Sequence, residues 1–283
     1  MQQLQGKVEG TKVNMVKSIF FKLSLIILAS EAITLTLLSF SKKIYSEPLV
    51  PATSDIYVAT GNTLYLITIS LAVSFLFLWI VRKKVIRLEY VLLLLKSLLF
   101  CALFWISSSL LLEGTAYYWE ELINFISIIF FPTTLYIFWK KFAVPNLIIS
   151  IFMAGASAFL IKLMFSDLAT GLLLVGFSLF DLYEVFKGPL KHLAHSLHSS
   201  EISLLLVKVE DIEVGMGDLL FYSLATGLAY SVGGEVLALT SIILVKIGVL
   251  ATLLLLERRK MLPGLPLPVL LSVFATFLVS LLS

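Results

Sequence analysis

The stretch Val214-Gly215-Met216-Gly217-Asp218-Leu219-Leu220-Phe221-Tyr222 sets a carboxylate, Asp218, inside a segment otherwise apolar enough to enter a bilayer. A charge near the centre of a membrane costs several kcal/mol, roughly 2.5 to 3.5 on insertion scales, so such an acid marks a functional site and calls for a partner. The apolar segment just before it supplies one, because Asp181 lies within Val175-Gly-Phe-Ser-Leu-Phe-Asp-Leu-Tyr-Glu184.

Composition fixes the class around these two acids. Hydrophobic residues make up 59% of the 283 residues and charged ones 14%, too little polar surface for a water-soluble globule. A helix of about 20 apolar residues crosses a hydrocarbon core of roughly 30 Å. Nine such segments are predicted: Val16 to Phe40, Asn62 to Val81, Tyr90 to Leu112, Leu122 to Trp139, Pro145 to Phe165, Ala169 to Phe186, Val214 to Val232, Val236 to Leu256 and Leu265 to Ser283. The expected architecture is therefore an all-α polytopic protein forming one membrane domain over residues 1–283. In it residues 1–165 (helices 1–5) act as scaffold and residues 166–283 (helices 6–9) as the catalytic part. The first apolar run is long and no small-x-small site follows it, so it reads as a retained helix and not as a cleaved signal. Cys101 is the single cysteine, lies in the third segment and reads as packing.

Lys and Arg are retained on the cytoplasmic side of membrane proteins. One set of loops carries 15 of the 21 basic residues, from Lys7, Lys12 and Lys17 to Arg258, Arg259 and Lys260, whereas the other carries only Lys42 and Lys43. Lys22, Lys96, Lys162 and Lys246 sit in or at the ends of apolar segments, where long stems can snorkel to the interface. The expectation is a cytoplasmic N-terminus and an external C-terminus, and in a prokaryote the membrane would be the cell membrane. The net charge of +3 follows from this bias and gives no reason to expect nucleic acid. In this topology Asp181 and Asp218 each lie about 9 to 10 Å inside the cytoplasmic end of their helices, at about 1.5 Å per residue. Consecutive helices are usually neighbours, so the two carboxyl groups are predicted to face one another.

Two facing carboxylates cannot both ionise cheaply, so the pair holds one proton between them and offers one acid and one base around a shared water. That is the apparatus of aspartic proteolysis. The base takes a proton from water attacking a peptide carbonyl, and the acid protonates the carbonyl oxygen. Gly215 and Gly217, lacking Cβ atoms, are expected to let helices or a substrate backbone approach Asp218. No metal or other cofactor is called for.

Three motifs fall in order and carry a resemblance. Gly215-Met216-Gly217-Asp218 resembles the G-x-G-D signature of the presenilin and signal peptide peptidase family of intramembrane aspartyl proteases. Phe180-Asp181 resembles the family's Tyr-Asp, and Pro263-Gly264-Leu265-Pro266 resembles its Pro-Ala-Leu motif. Phe221-Tyr222-Ser223 is similar to presenilins as well. The resemblance implies nine helices with catalytic Asp181 and Asp218 on the sixth and seventh, and transmembrane helices as substrates. Among members it is most similar to compact archaeal homologues, which implies activity without accessory subunits. Phe180 stands where Tyr is usual and Gly264 where Ala is usual. The loop from Gly188 to Glu210 is short, which puts self-cleavage in question. The basic-residue bias matches the presenilin orientation and is opposite to that of signal peptide peptidases.

Other readings were weighed on the residues. Pro263, Pro266 and Pro268 either open an irregular turn beside the acids or simply start the last helix; the resemblance favours the first. Ile202 to Val209, including Leu204, Leu205, Leu206 and Val207, is β-prone and offers an edge for an unwound substrate, but it also fits an interfacial amphipathic segment or an early start to the seventh helix. Glu184 reads as a solvated or paired acid, and Glu31 as pairing with Lys22 or facing a cavity. His192, His195 and His198 repeat every three residues without a Cys or a fixed acid, a weak case for metal. Gly155-Ala156-Ser157-Ala158 resembles the rhomboid G-x-S-G but lacks the last Gly and a nearby histidine, so Ala154, Gly155, Ala156 and Ala158 read as a packing face, as do Gly171 and Gly176. The alternative function is a proton- or cation-coupled transporter using the paired acids. Against it stand the absence of a repeat between the chain halves and the placement of both acids toward one face.

Overall fold

The computed structural model describes residues 2–41, 68, 88–112, 118–187, 206–209, 212–256 and 263–282. Its helices are α1 (Gln2–Ser41), α2 (Leu88–Leu112), α3 (Tyr118–Lys140), α4 (Ala143–Met164), α5 (Asp167–Lys187), α6 (Met216–Leu256) and α7 (Pro266–Leu282). Two strands, β1 (Leu206–Val209) and β2 (Ile212–Gly215), precede α6. Six of these helices are long and apolar enough to cross a membrane, and α7 is a shorter apolar helix of 17 residues. The protein is thus an integral, multi-pass membrane protein. The predicted second span, Asn62 to Val81, lies outside the described residues except for Thr68, and the three histidines, Leu204 and Leu205 lie outside them entirely.

The helix α6 is two spans joined by a break. Gly233 (φ −133°, ψ 19°) and Gly234 (φ 67°, ψ −153°) leave the helical region, the second in a conformation that L side chains rarely adopt. The arms 216–232 and 235–256 then fold back on each other, since Thr226 Oγ1 and Ser241 Oγ, nearly equidistant from the break, lie 3.3 Å apart. The break falls where the sequence separates its seventh and eighth segments. The seventh begins later than expected: Val214 and Gly215 belong to β2, and the helix starts at Met216. Over such a short apolar run, helical and strand periodicities cannot be told apart.

The first arm is the axis of the molecule. Every residue from Tyr222 to Ala229 is buried, as expected of a helix apolar on all sides and surrounded by others. Around it pack α1, α4, α5 and α7, with α2 and α3 farther out against α1 and α4. Small residues permit the close approaches. Ala154, Ala156 and Ala158 are buried, and a Cβ on Gly155 would lie 2.6 Å from the backbone oxygen of Ser30. Thr34 Oγ1 donates to Gly155 O across this contact at 2.9 Å, so the predicted packing face joins α4 to α1.

Polar groups tie the bundle internally. Ser223 donates to Ser30 Oγ (2.9 Å), and Thr226 to Glu31 Oε1 (3.0 Å). From Thr226 the contacts continue to Ser241 and then to Ser272 of α7 (2.6 Å). Glu31 is fully buried, and its partner is Thr226, while Lys22 is exposed. Of the lysines expected to snorkel, Lys96 and Lys162 are buried. Lys96 Nζ donates to Asn146 Oδ1 (2.8 Å) and Ser150 Oγ (3.1 Å) and lies over the Phe138 ring. Lys162 pairs with Asp167 at 2.9 Å. Glu184, expected to be solvated or paired, is 2% exposed and so not solvated.

Candidate active site

Asp218 sits in the first turn of α6, directly after β2. The antiparallel pairing of Leu206 with Gly215 and of Val207 with Val214 delivers the chain to Met216 with no intervening loop. Asp181 lies on α5, which packs against both α6 and α7. Its neighbour Phe180 packs edge-on against Phe177 (centroids 6.4 Å apart), and Phe177 meets Phe221 of α6 at 5.0 Å. These rings join the two helices beside the acids. Because the motif position holds Phe180 and not Tyr, this contact is wholly apolar.

Both acids converge on one short segment before α7. Pro263 is buried, residues 264 and 265 bend, and Pro266 is the first helical residue, where a missing N–H costs nothing. Leu265 N–H donates to Asp181 Oδ2 at 3.0 Å. Asp218 approaches from the other helix: a Cβ built on Gly264 would lie 2.8 Å from its Oδ2. Asp181 and Asp218 act on one another electrostatically. The turn is thus irregular, with the Leu265 N–H directed at Asp181, and α7 begins at its end, so both readings of the prolines hold in part.

The motif glycines behave differently from one another. A Cβ on Gly215 would meet Asp218 Oδ2 at 3.3 Å, tighter than ordinary contact. One on Gly217 would meet nothing within 4 Å, so the close approach expected there is not made by the described residues. Met216 packs into the cluster around α2, α3 and α4. Leu206 is partly buried at the start of β1, and Val207 is its second residue.

One residue makes a contact that the motifs do not foretell. Tyr222, four residues after Asp218 on the same face of α6, is buried, and its hydroxyl donates to Gly264 O at 3.0 Å. The signal was present in Pro268. In a helix Gly264 O would accept from the N–H four residues on, and proline has none.

Comparison with known proteins follows this geometry. Over 93% of its length the chain superimposes on a solved structure of a presenilin family intramembrane aspartate protease in space group C222, covering 99% of that chain with a TM-score of 0.66 at 16% identity. A second solved structure of such a protease, in space group P2, gives a TM-score of 0.64 at 17% identity, with 93% of this chain and 97% of that one covered. No protein-family model matches the sequence, and no curated protein sequence matches it. The protein therefore has a presenilin-like polytopic membrane fold.

Proposed function

We propose that this chain is an intramembrane aspartic endopeptidase in which Asp181 and Asp218 hydrolyse peptide bonds within transmembrane segments of other proteins. The observation that carries the reading is the convergence of two acids from neighbouring helices on a single peptide segment, 264–265. The presenilin-like fold and the three motifs support it.

The pair holds one proton. Its ionised member takes a proton from water as the oxygen attacks the scissile carbonyl, and its protonated member gives its proton to the carbonyl oxygen. Collapse of the tetrahedral intermediate breaks the C–N bond, and a proton passes to the leaving amine, restoring the pair. Phe180, Gly215, Met216, Gly217, Pro263, Gly264, Leu265 and Pro266 shape the surroundings. A substrate helix must first be unwound, because its scissile bonds lie within its own hydrogen-bond ladder. Among the described residues β1 pairs only with β2. Its other edge, at Leu206 and Val207, is where an unwound segment adds as a strand; Leu204 and Leu205, also expected to bind substrate, lie outside the described residues. The substrates reach the site through the bilayer, and the chain works without accessory subunits.

The test is cleavage of a transmembrane reporter by purified protein. Asp181→Asn and Asp218→Asn should each reduce hydrolysis by orders of magnitude, and the double variant should be little worse, because the pair acts as a unit. Activity should follow a bell in pH whose two apparent constants belong to the pair. Hydroxyl-bearing transition-state mimics should inhibit. Near-wild-type cleavage by Asp218→Asn, with a contaminating protease excluded, would sink the reading and move the transporter alternative ahead.

A further inference from the structure

The peptide unit between Gly264 and Leu265 is held at both poles. Its N–H is bound by Asp181 Oδ2 from α5, and its C=O by the Tyr222 hydroxyl from α6, each at 3.0 Å. Neither group has a helical partner available. Leu265 precedes the first helical residue, so its N–H is among those that a helix start leaves unpaired. Gly264 O lies one residue ahead of the first helical acceptor, Leu265 O, which takes Val269 N–H at 3.1 Å, and Pro268, four residues on from Gly264, has no N–H with which to extend the ladder back to it. Pro268 cannot shift to relieve this, since it is buried against α6, where a Cβ on Gly248 would lie 2.4 Å from its Cα. A partly buried carbonyl left without a donor is unfavourable. Tyr222 fills that role from one turn beyond Asp218, and both carboxylates act electrostatically on its phenol.

We propose that Tyr222 is a positioning residue for the acid pair: by fixing the carbonyl pole of the Gly264–Leu265 peptide, it aims the opposite pole at Asp181 and so holds that carboxyl group in its working orientation toward Asp218. This rests on the aspartic protease reading above and adds a residue to it. A peptide plane pinned at one end only can rotate about its long axis, and rotation would carry Leu265 N–H away from Asp181. Tyr222 thereby couples the helix that carries one acid to the orientation of the other, with Pro268 creating the need for it.

The experiment compares wild-type protein with Tyr222→Phe, which removes only the hydroxyl, in cleavage of a transmembrane reporter. Working sites are counted by titration with a hydroxyl-bearing transition-state mimic. The expected result is a kcat per titrated site about tenfold lower, equivalent to about 1.4 kcal/mol in the barrier. KM should stay within about twofold, and the acidic limb of the pH–activity profile should shift. An unchanged kcat per titrated site overturns the proposal, whether the number of sites is normal or reduced, because a purely structural phenol alters only how many molecules fold. Complete absence of titratable sites overturns it as well. Asp181→Asn measured alongside separates the two levels. If that variant is inert while Tyr222→Phe is normal, the protease reading stands and the role of Tyr222 falls; if it is fully active, the protease reading itself falls.

Discussion

Gly264 and Asp218 stand so close that a methyl group on the glycine would come within 2.8 Å of the carboxyl oxygen Oδ2 and 3.1 Å of Cγ. The atoms in its way are the far end of a side chain, which can turn aside at little cost to stability, yet they are the atoms assigned to chemistry. Gly264→Ala is therefore expected to leave the thermal midpoint within a few degrees of wild type while lowering kcat by roughly tenfold or more, since small misplacements of reacting groups are costly. Assays of cleavage and of thermal unfolding on the same preparation check this. Equal activity in the two proteins would show that Asp218 has room the structure does not give it.

A glycine that meets backbone and not an acid should behave in the opposite way. At Gly248 a Cβ would strike Pro268 Cα at 2.4 Å and Pro268 N at 2.6 Å, both backbone atoms that cannot move aside alone. Gly248→Ala should push α7 off the second arm of α6, costing about 1 to 3 kcal/mol as overpacking does. Activity should drop with it because the segment 263–265 leads directly into α7. The measurement is a melting curve beside a cleavage assay, and a variant as stable as wild type would contradict the packing.

The hairpin before α6 offers a third test. Val207 lies opposite Val214 in the β1–β2 register. Proline there removes a backbone donor and restricts the residue before it. If β1 presents substrate, Val207→Pro should lower kcat/KM by about tenfold or more with the helical bundle intact by circular dichroism. Full activity would remove the strand from the mechanism.

Orientation is tested by labelling single added cysteines in a Cys101→Ser background. Positions near Lys83 and Lys191 should react from the cytoplasmic side, and positions near Asp55 and Ser283 from the other. The reverse pattern would leave the acid pair intact but invert the set of substrate ends it can reach.

How far the sequence reveals all this depends on the range of each interaction. An intramembrane acid is legible alone, because its cost demands a reason wherever the chain folds, and Asp181 and Asp218 stood out on that ground. The small residues around Gly155 were legible by composition, and the split of α6 by the gap between the seventh and eighth apolar segments. Partnerships across the bundle were not. Nothing local to Lys96 announces Asn146 and Ser150, some 50 residues on, and hydropathy assigned it to the interface. Glu31 gave no hint of Thr226, 195 residues away. Tyr222 was legible as part of a presenilin-like Phe-Tyr-Ser, but its partner was not, because the carbonyl it serves lies 42 residues later. Even there the missing donor of Pro268 was written in the sequence; what was lacking was the fold that brings the tyrosine to it.

The row of hydroxyl groups running from Thr226 through Ser241 to Ser272 bears on the angular setting of α7. Ser272 follows Leu265 by seven residues, close to two full turns, so the two lie along nearly the same side of the rod. In hydrocarbon there is no water to take over a broken contact, and a turn of α7 by one residue, about 100°, would strip Ser272 of Ser241. The serine thus works as an indexing pin. With the pin engaged, the rod has one azimuth, and at that azimuth its leading end faces the acids.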